Sequence, residues 1–308
     1  MIDILMAVYN GEKFLSEQIE SILAQDSDGW HLYICDDHSA DSSFDIACRY
    51  AEKYPELITA YRNDIPSGSA CANFIGMLKR SQSEYVMFSD QDDYWKPAKV
   101  RLTFAEMERL EKTHGDRPLL VHTEMEVVDA QLSVLEPRFT RFQGIDPAAS
   151  GLNRLLAQNN VTGCTMMINR RLADIIKTAP PEKMLMHDWW AGIAAAAFGH
   201  IGFVSEPLNM YRQHGGNQLG AVNNRSFSAF ARAMKNTKKL KAKVTATYEQ
   251  AQAFLNEYGD ILPPHAKEIV EIYAQLPSCR KLTRISRIIS RNFKKQNFMT
   301  AFGQLIFC

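Results

Sequence analysis

Residues 85–93 read YVMFSDQDD, an apolar run followed at once by three carboxylates, Asp90, Asp92 and Asp93. Like charges this close repel one another, and they are costly to keep ionised away from water. The cluster therefore either lies in open solvent at a turn or surrounds something cationic. The run before it has the composition of a buried strand, so we expect the acids where that strand ends.

The first hundred residues alternate between short apolar runs and segments whose apolar residues recur at helical spacing. Strands that alternate with helices of about 10 to 15 residues indicate right-handed βαβ units. The fold class predicted is therefore α/β, with a mostly parallel sheet flanked by helices. The predicted strands are residues 2–8, 31–35, 57–62 and 84–90, and the predicted helices are residues 12–25, 41–54 and 71–81.

A polar cluster follows each of these four strands. The clusters are YNG (9–11), DDHS (36–39), RND (62–64) and DQDD (90–93). Carboxyl ends of parallel strands meet at one edge of a sheet, and ligands of such sheets bind outside that edge. A solvated turn explains one such cluster but not four, so we expect the clusters to form the floor of one site.

The absence of several known binding motifs limits the kinds of ligand that we expect at this floor. No G-x-G-x-x-G and no G-x-x-x-x-G-K-[ST] follows the first strand, so neither a dinucleotide fingerprint nor a P-loop is present. A calcium loop counted from Asp90 fails, because its fifth and sixth positions are Tyr94 and Trp95. The pattern that remains is a set of carboxylates around Mg²⁺ or Mn²⁺, with phosphate oxygens completing the coordination.

The composition is that of an ordinary globular protein. Of 308 residues, 46% are hydrophobic and 23% are charged, enough for a large core. The six cysteines form no Cys-x-x-Cys pair, which argues against a zinc module or disulfide framework and suits a reducing cytoplasm. We expect neither a signal peptide nor a membrane span, since no apolar stretch reaches about 18 residues.

Several segments, in order, resemble inverting family 2 glycosyltransferases of the GT-A fold. The resemblance covers about residues 1–220 and is closest to bacterial surface-polysaccharide enzymes, among them rhamnosyltransferases that use dTDP-L-rhamnose. The combination is specific although no single piece is. The segments are ILMAVYNGEKFLSEQIESILAQ (4–25), YICDDHSADSS (33–43), YVMFSDQDDYWKPAKV (85–100), NNVTGCTMMINRRL (159–172) and HDWWAGIAAAAFGHIGFVSEPLNMYRQHGGNQLG (187–220).

The resemblance implies a site for a nucleotide-sugar donor carrying dTDP or UDP. Asp36 and Asp37 would contact the base and ribose, with the backbone of Ala7, Tyr9 and Asn10 beside them. The diphosphate would lie next to the metal.

The resemblance also implies a D-x-D metal site for Mn²⁺ or Mg²⁺. Asp90 and Asp92 would form the motif, with Asp92 as the direct ligand, Asp93 assisting and His214 completing the site. His214 could instead be a turn histidine, although GGNQ (215–218) after it suggests a loop that folds over the site. Arg212 would meet a phosphate, with a surface ion pair as the alternative.

A third implication concerns the catalytic base. Asp188 in HDWW aligns with the acidic residue that takes the acceptor proton, although His187 stands where Glu is common. Asp188 could instead cap the following helix. Gly163, Trp189 and Trp190 would contact substrate; the alternatives are an ordinary strand glycine and two core aromatics.

The reaction itself asks for acids in two places. A metal on the diphosphate stabilises the negative charge that the leaving group gains. The incoming hydroxyl must lose a proton, so one carboxylate must face the opposite side of the sugar. The cluster at 90–93 and the distant Asp188 fit that division.

The charge distribution divides the chain near residue 222. Residues 1–224 carry 20 Lys and Arg against 30 Asp and Glu, whereas residues 225–308 carry 15 against 5. We predict a GT-A domain at 1–222 and a basic helical C-terminal region at 223–308 that reaches an anionic membrane surface. The acidic body does not read as nucleic-acid binding.

Residues 278–307 carry the strongest membrane signal. Seven cations lie among apolar residues at helical spacing, which is typical of an interfacial helix. The alternative is a helix packed on the body with a solvated basic face. The resemblance favours the membrane, because it implies a polyprenyl-diphosphate-linked glycan as acceptor and a cytoplasmic protein at the inner face of the cell membrane. The apolar residues are Leu282, Ile285, Ile288, Ile289 and Phe293.

Two other classes stay open on the residues alone. A nucleotidyltransferase also uses a parallel sheet and paired acids, but it should carry a Gly- and Arg-rich loop after the first strand, and YNGEKF is not one. A non-catalytic sugar-nucleotide-binding protein would not need Asp188.

Overall fold

The computed structural model describes residues 1–214 and 237–307. The predicted domain boundary at 222–223 and the GGNQ stretch lie outside the described residues. The strands are β1 (Ile2–Val8), β2 (Trp30–Asp36), β3 (Ile58–Arg62), β4 (Tyr85–Ser89), β5 (Tyr94–Trp95), β6 (Leu119–Val128), β7 (Val134–Glu136), β8 (Met166–Asn169) and β9 (His200–Arg212). The helices are α1 (Leu15–Leu23), α2 (Ser43–Lys53), α3 (Ala70–Arg80), α4 (Lys99–His114), α5 (Phe139–Gln143), α6 (Leu152–Ala157), α7 (Arg170–Ile176), α8 (His187–Phe198), α9 (Thr237–Tyr258), α10 (Pro264–Ala274), α11 (Lys281–Ser290) and α12 (Phe298–Phe307).

The strands of the described residues form one sheet in the order β3-β2-β1-β4-β8-β6-β9-β5, with β7 paired to β6. The first four strands are parallel, and all four were predicted to within two residues. Beyond β4 the sheet becomes mixed: β8 runs antiparallel to both β4 and β6, while β9 runs parallel to β6. The α/β fold is confirmed, and the mostly parallel description holds for its first half.

Alternation along β1 explains why both faces of the sheet are covered. Ile4 and Met6 point to one face, where they share a core with α1. Leu5 points to the other face and joins the core that contains Phe74 of α3. Successive strand residues point to opposite faces, so an almost wholly apolar strand is buried only when helices lie on both sides.

The C-terminal helices share a core with the first part of the chain. Trp190 of α8 is fully buried. Its ring lies 5.2 Å from that of Phe254 in α9, and its indole Nε1 donates to the hydroxyl of Tyr258 at 3.2 Å. The prediction that Trp190 contacts substrate is therefore wrong, because tail residues surround its side chain.

The apolar residues of helix α11 and of the segment just after it fall into two groups, one buried and one exposed to solvent. Ile288 is buried, and so is Phe293 just beyond the helix, whose ring lies 5.0 Å from that of Tyr273. Leu282 and Ile289 are 83% and 56% exposed. The segment is thus anchored on the body and still presents an apolar face to solvent. Among the described residues, no helix is long and apolar enough to cross a membrane.

The shared core predicts that body and tail unfold together. Replacing a buried Trp by Ala typically costs about 3–5 kcal/mol of stability. Trp190→Ala should lower the free energy of unfolding by about that amount in urea denaturation, in one transition. Trp189→Ala is the matched control, because Trp189 is only partly buried and its loss should cost less. Two separate transitions, or equal effects, would contradict this packing.

Candidate active site

The four polar clusters meet at the carboxyl edge of the sheet, as predicted. Tyr9 N donates to Gln91 Oε1 at 2.8 Å, and Gln91 Nε2 donates back to Tyr9 O at 3.0 Å. Asn10 N donates to Ser39 Oγ at 2.9 Å. A Cβ on Gly11 would lie 2.4 Å from the end of the Gln91 side chain, so a larger residue here would displace Gln91. The first, second and fourth clusters are thereby held together.

The two acids after β2 have different surroundings. Asp36 is fully buried, and its Oδ2 accepts from Arg62 Nε at 2.7 Å. Asp37 accepts from Ser67 N at 2.6 Å and from Asn63 Nδ2 at 2.8 Å. Burial tends to raise the pKa of Asp37, but these hydrogen bonds outweigh it and the net pKa is lowered. Asp36 thus holds the strand end, and Asp37 is the carboxylate that borders the cavity.

A cavity of about 470 Å³ lies over this edge. Half of the predicted site residues contribute to its wall, which also contains Gln91 and His187. Its walls therefore bring residues from four strand ends next to the start of α8. The predicted residues that line it are Ala7, Tyr9, Asp37, Asp90, Asp92, Gly163 and Asp188.

The acids of the D-x-D segment do not share one environment. Asp92 Oδ2 lies 2.7 Å from His214 Nε2, as expected for partners in one site. Asp90 is partly exposed on the cavity wall, and burial together with Asp93 and Asp92 raises its pKa well above the usual value. Asp93 is fully buried, and Asn209 Nδ2 donates to it at 2.7 Å. Burial and the Asp92 charge raise the pKa of Asp93 to about 6.

These residues fit a hard divalent cation. Donor atoms of Asp90, Asp93 and Cys164 lie within 4.8 Å of one another. Burial raises the pKa of the Cys164 thiol well above its usual value, so it stays protonated and suits a hard cation poorly. Burial and the charges of Asp93 and Asp92 raise the pKa of Asp90, and a positive charge bound at the cavity wall would oppose that rise. Asp90 and Asp92 lie on the cavity wall, and His214 contacts Asp92.

Arg212 has a different position from the one predicted. Its side chain is 2% exposed. Its Nε donates to Asp92 O at 2.9 Å, Nη1 donates to Ala130 O at 2.7 Å, and Nη2 pairs with Glu17. The guanidinium is neither a surface ion pair nor directed at the cavity. It fixes the backbone of the acidic segment from below.

Asp188 lines the same cavity as this acidic segment, and its charge contributes to the raised pKa of Asp90. Its Oδ1 accepts from Asn159 Nδ2 at 3.1 Å, and its Oδ2 accepts from Gly163 N at 2.9 Å. Burial raises the pKa of Asp188 to about 6, although both hydrogen bonds oppose the rise. The N-cap of α8 is Met186, so Asp188 lies inside the first turn and is not the capping residue. It is a fixed carboxylate with a pKa near neutrality at the cavity wall.

Comparison with known proteins identifies the family. Residues 3–171, more than half of the chain, match the model of glycosyl transferase family 2. The chain belongs to glycosyltransferase family 2. It is 28% identical over 235 residues to the dTDP-rhamnosyl transferase RfbG of Shigella flexneri, covering 73% of this chain and 76% of that one. It is 34% identical over 140 residues to the putative glycosyltransferase EpsE of Bacillus subtilis, covering 44% and 50%.

Solved structures agree on the fold. The crystal structure of residues 1–349 of S. aureus TarS matches this transferase with a TM-score of 0.57 at 16% identity, covering 99% of this chain and 89% of that one. A second TarS structure, in complex with UDP-GlcNAc, matches with a TM-score of 0.56 at 14% identity. Identity this low supports the shared fold alone. Family membership makes the chain a glycosyltransferase and removes the nucleotidyltransferase and non-catalytic alternatives.

Some supporting residues of the transferase were missed from sequence. Gln91, which bonds to the Tyr9 backbone, and Asn159, which bonds to Asp188, were not among the predicted site residues. Lys99 is fully buried beneath the acidic segment, where its Nζ donates to Cys164 O at 2.5 Å. Burial lowers the pKa of Lys99 to about 8, against the pull of Cys164 and Asp93. The feature of the sequence that could have indicated the role of Lys99 is its position shortly after the acidic cluster.

Proposed function

We propose that this transferase moves L-rhamnose from dTDP-L-rhamnose to a hydroxyl of a polyprenyl-diphosphate-linked glycan, inverting the anomeric carbon, in the assembly of a surface polysaccharide such as O-antigen or capsule. One observation carries the proposal: a single cavity is bordered by Asp37, by Asp90 and Asp92, and by Asp188. The relative RfbG is a dTDP-rhamnosyl transferase, which supports the donor, and the UDP-GlcNAc complex of TarS supports a nucleotide sugar.

The nucleotide end of the donor is assigned to the corner around Asp37. Its lowered pKa keeps it ionised, so it can accept hydrogen bonds from ribose hydroxyls or a base N–H. Tyr9 is 59% exposed at the same corner and offers an aromatic face for a base. Ala7 and Asn10 shape the neighbouring backbone.

The diphosphate is assigned to the acidic segment together with Mn²⁺ or Mg²⁺. Asp90, Asp92 and His214 would hold the ion, which supplies positive charge for the departing diphosphate. Asp93 supports them from below, because Asn209 and the Arg212 backbone already bond to its carboxylate. Arg212 keeps the segment in place by binding the Asp92 carbonyl.

Asp188 is assigned the general base. Gly163 and Asn159 orient its carboxylate by donating to one oxygen each. The acceptor hydroxyl would approach from this side and pass its proton to Asp188 as the glycosidic bond forms. A pKa near neutrality is suited to a base that must take a proton and later release it.

The acceptor side is assigned to the C-terminal region, which we place on the inner face of the membrane. Leu282 and Ile289 form an exposed apolar face, and Arg280, Lys281 and Lys294 are exposed around it. No acidic residue follows Glu271, so the charge of this surface complements anionic lipid. The division of the chain near residue 222 belongs to the same proposal.

The donor and metal are tested by thermal stability. With Mn²⁺ present, dTDP-L-rhamnose at 100 times its Kd should add about 2.7 kcal/mol to the free energy of unfolding. Asp92→Asn or EDTA should remove most of that gain, because both remove the ion. Asp260→Asn, at an exposed acid in the tail, is the control and should keep it. A gain undiminished in EDTA would rule out the metal, and a larger gain with UDP-glucose or UDP-N-acetylglucosamine would rule out the donor.

The base is tested by rate and pH together. Asp188→Asn should keep the donor-induced stabilisation but transfer sugar at least about a hundredfold more slowly, the usual cost of losing a general base. The ionised carboxylate is the active form, so the wild-type rate should fall as pH falls through about 6. Asn159→Ala removes a hydrogen bond to that form and should move the fall to higher pH. A near-native rate in Asp188→Asn would place the base elsewhere.

The membrane contact is tested with vesicles of phosphatidylglycerol and phosphatidylcholine. Leu282→Glu with Ile289→Glu should lower binding at least about tenfold without lowering Tm, since both side chains are exposed and each charge is costly at an apolar interface. Ile261→Glu, which is 65% exposed between α9 and α10, is the control. Sedimentation at low and high salt measures the effect, and equal binding by all variants would disprove the contact.

A further inference from the structure

His187 is a buried side chain without hydrogen bonds in the wall of the cavity. It is 4% exposed, and neither ring nitrogen has a hydrogen-bond partner in the part of the chain that the structure describes. A buried polar group without a partner destabilises a protein, and each such group calls for an explanation. Here both nitrogens of one ring are affected, next to the residue assigned as the base.

The neighbours of His187 fix the ring without bonding to it. The ring centroid lies 4.3 Å from that of Phe74 and 5.2 Å from that of Phe88. On the third side is Gly163, where a Cβ would come within 2.9 Å of His187 Nε2. Any larger residue at 163 would therefore press on the ring. The surroundings thus hold the imidazole in place but provide no polar partner.

The cavity is the place from which a bound ligand could supply the missing partner. Phe74, Gly163, His187 and Asp188 line the same part of its wall. Burial lowers the pKa of His187 to about 3, so the ring is neutral in the working range of the enzyme. A neutral imidazole has one N–H donor and one lone-pair acceptor, which matches a hydroxyl group. A carboxylate here would only accept, and it would add negative charge beside Asp188.

We propose that the imidazole of His187 hydrogen-bonds a hydroxyl of the donor sugar and so helps to select the sugar that is transferred. This inference rests on the proposed function, because it requires a nucleotide sugar in the cavity. A site built to bond a hydroxyl discriminates strongly against sugars that lack it, since its own buried group is then left unpaired. His187 is therefore assigned to specificity, and Asp188 to proton transfer.

The experiment separates the contribution of the sugar from that of the nucleotide. Calorimetry in Mn²⁺ gives the Kd of dTDP and of dTDP-L-rhamnose, and likewise of UDP and UDP-GlcNAc. Within each pair, the Kd of the free nucleotide divided by the Kd of the nucleotide sugar measures the contribution of the sugar to binding. His187→Leu should lower the ratio of the preferred pair at least about tenfold, the effect of one lost hydrogen bond in a buried site. It should leave the Kd of the free nucleotide unchanged.

Two further variants make the result specific. His187→Gln keeps an amide near Nε2 and should recover part of the ratio. His122→Leu is the matched control, because His122 is also buried with an unpartnered Nε2 but does not line the cavity. His122→Leu should change neither the Kd of the free nucleotide nor that of the nucleotide sugar in either pair. If His187→Leu does not fold, His187→Ala replaces it in the same comparison.

The outcomes distinguish the two proposals. A wild-type protein for which the sugar adds nothing in either pair would overturn the proposed function, and this inference with it. A wild-type ratio that persists in His187→Leu would overturn the role of His187 alone. Loss of free-nucleotide binding in His187→Leu would also overturn it, because the residue would then act through the shape of the site.

Discussion

The repulsion among three carboxylates within four residues is the constraint on which this structure depends. Asp93 is buried beneath the site and is stabilised by Asn209. Lys99, a buried cation, lies under the same segment and lowers the pKa of Asp93 in opposition to burial. Only Asp90 and Asp92 reach the cavity. The fold thus gives one acid internal partners and leaves two at the cavity wall, where a bound cation would oppose the repulsion that raises the pKa of Asp90.

The parallel half of the fold could be predicted because its signals are local. Each of β1 to β4 is a short apolar run that ends at a polar cluster, and each intervening helix shows helical spacing. The strands β6, β8 and β9 are less evident in the sequence, since their pairing joins residues such as Leu120 and Ile168 that lie far apart along the chain. Antiparallel returns of this kind depend on packing against the whole sheet, which a local pattern does not contain.

The residues of the candidate site also divide into those whose positions could be predicted from the sequence and those whose positions could not. The positions of Asp37, Asp90, Asp92 and Asp188 followed from strand ends and from family resemblance, and the structure brings them to one cavity. The position of Arg212 could not be predicted in this way. Its hydrogen-bond acceptors, Glu17 and Ala130, lie far from it along the chain, so the local sequence does not indicate them. Trp190 was likewise predicted to contact substrate together with Trp189, with a position in the core as the alternative. Its true partners come from a helix more than fifty residues later.

The shared core between α8 and the tail bears on how such enzymes diversify. Helix α8, which carries Asp188 in its first turn, contacts α9 through the rings of Trp190 and Phe198. The short α6 beside it bonds to the tail backbone through Asn153 and Arg154. Exchanging residues 237–307 for those of a relative would therefore also replace part of the packing around the helix that carries Asp188. The C-terminal region is not an interchangeable module, so its sequence should change mainly by gradual substitution on its exposed surface rather than by exchange of the whole segment.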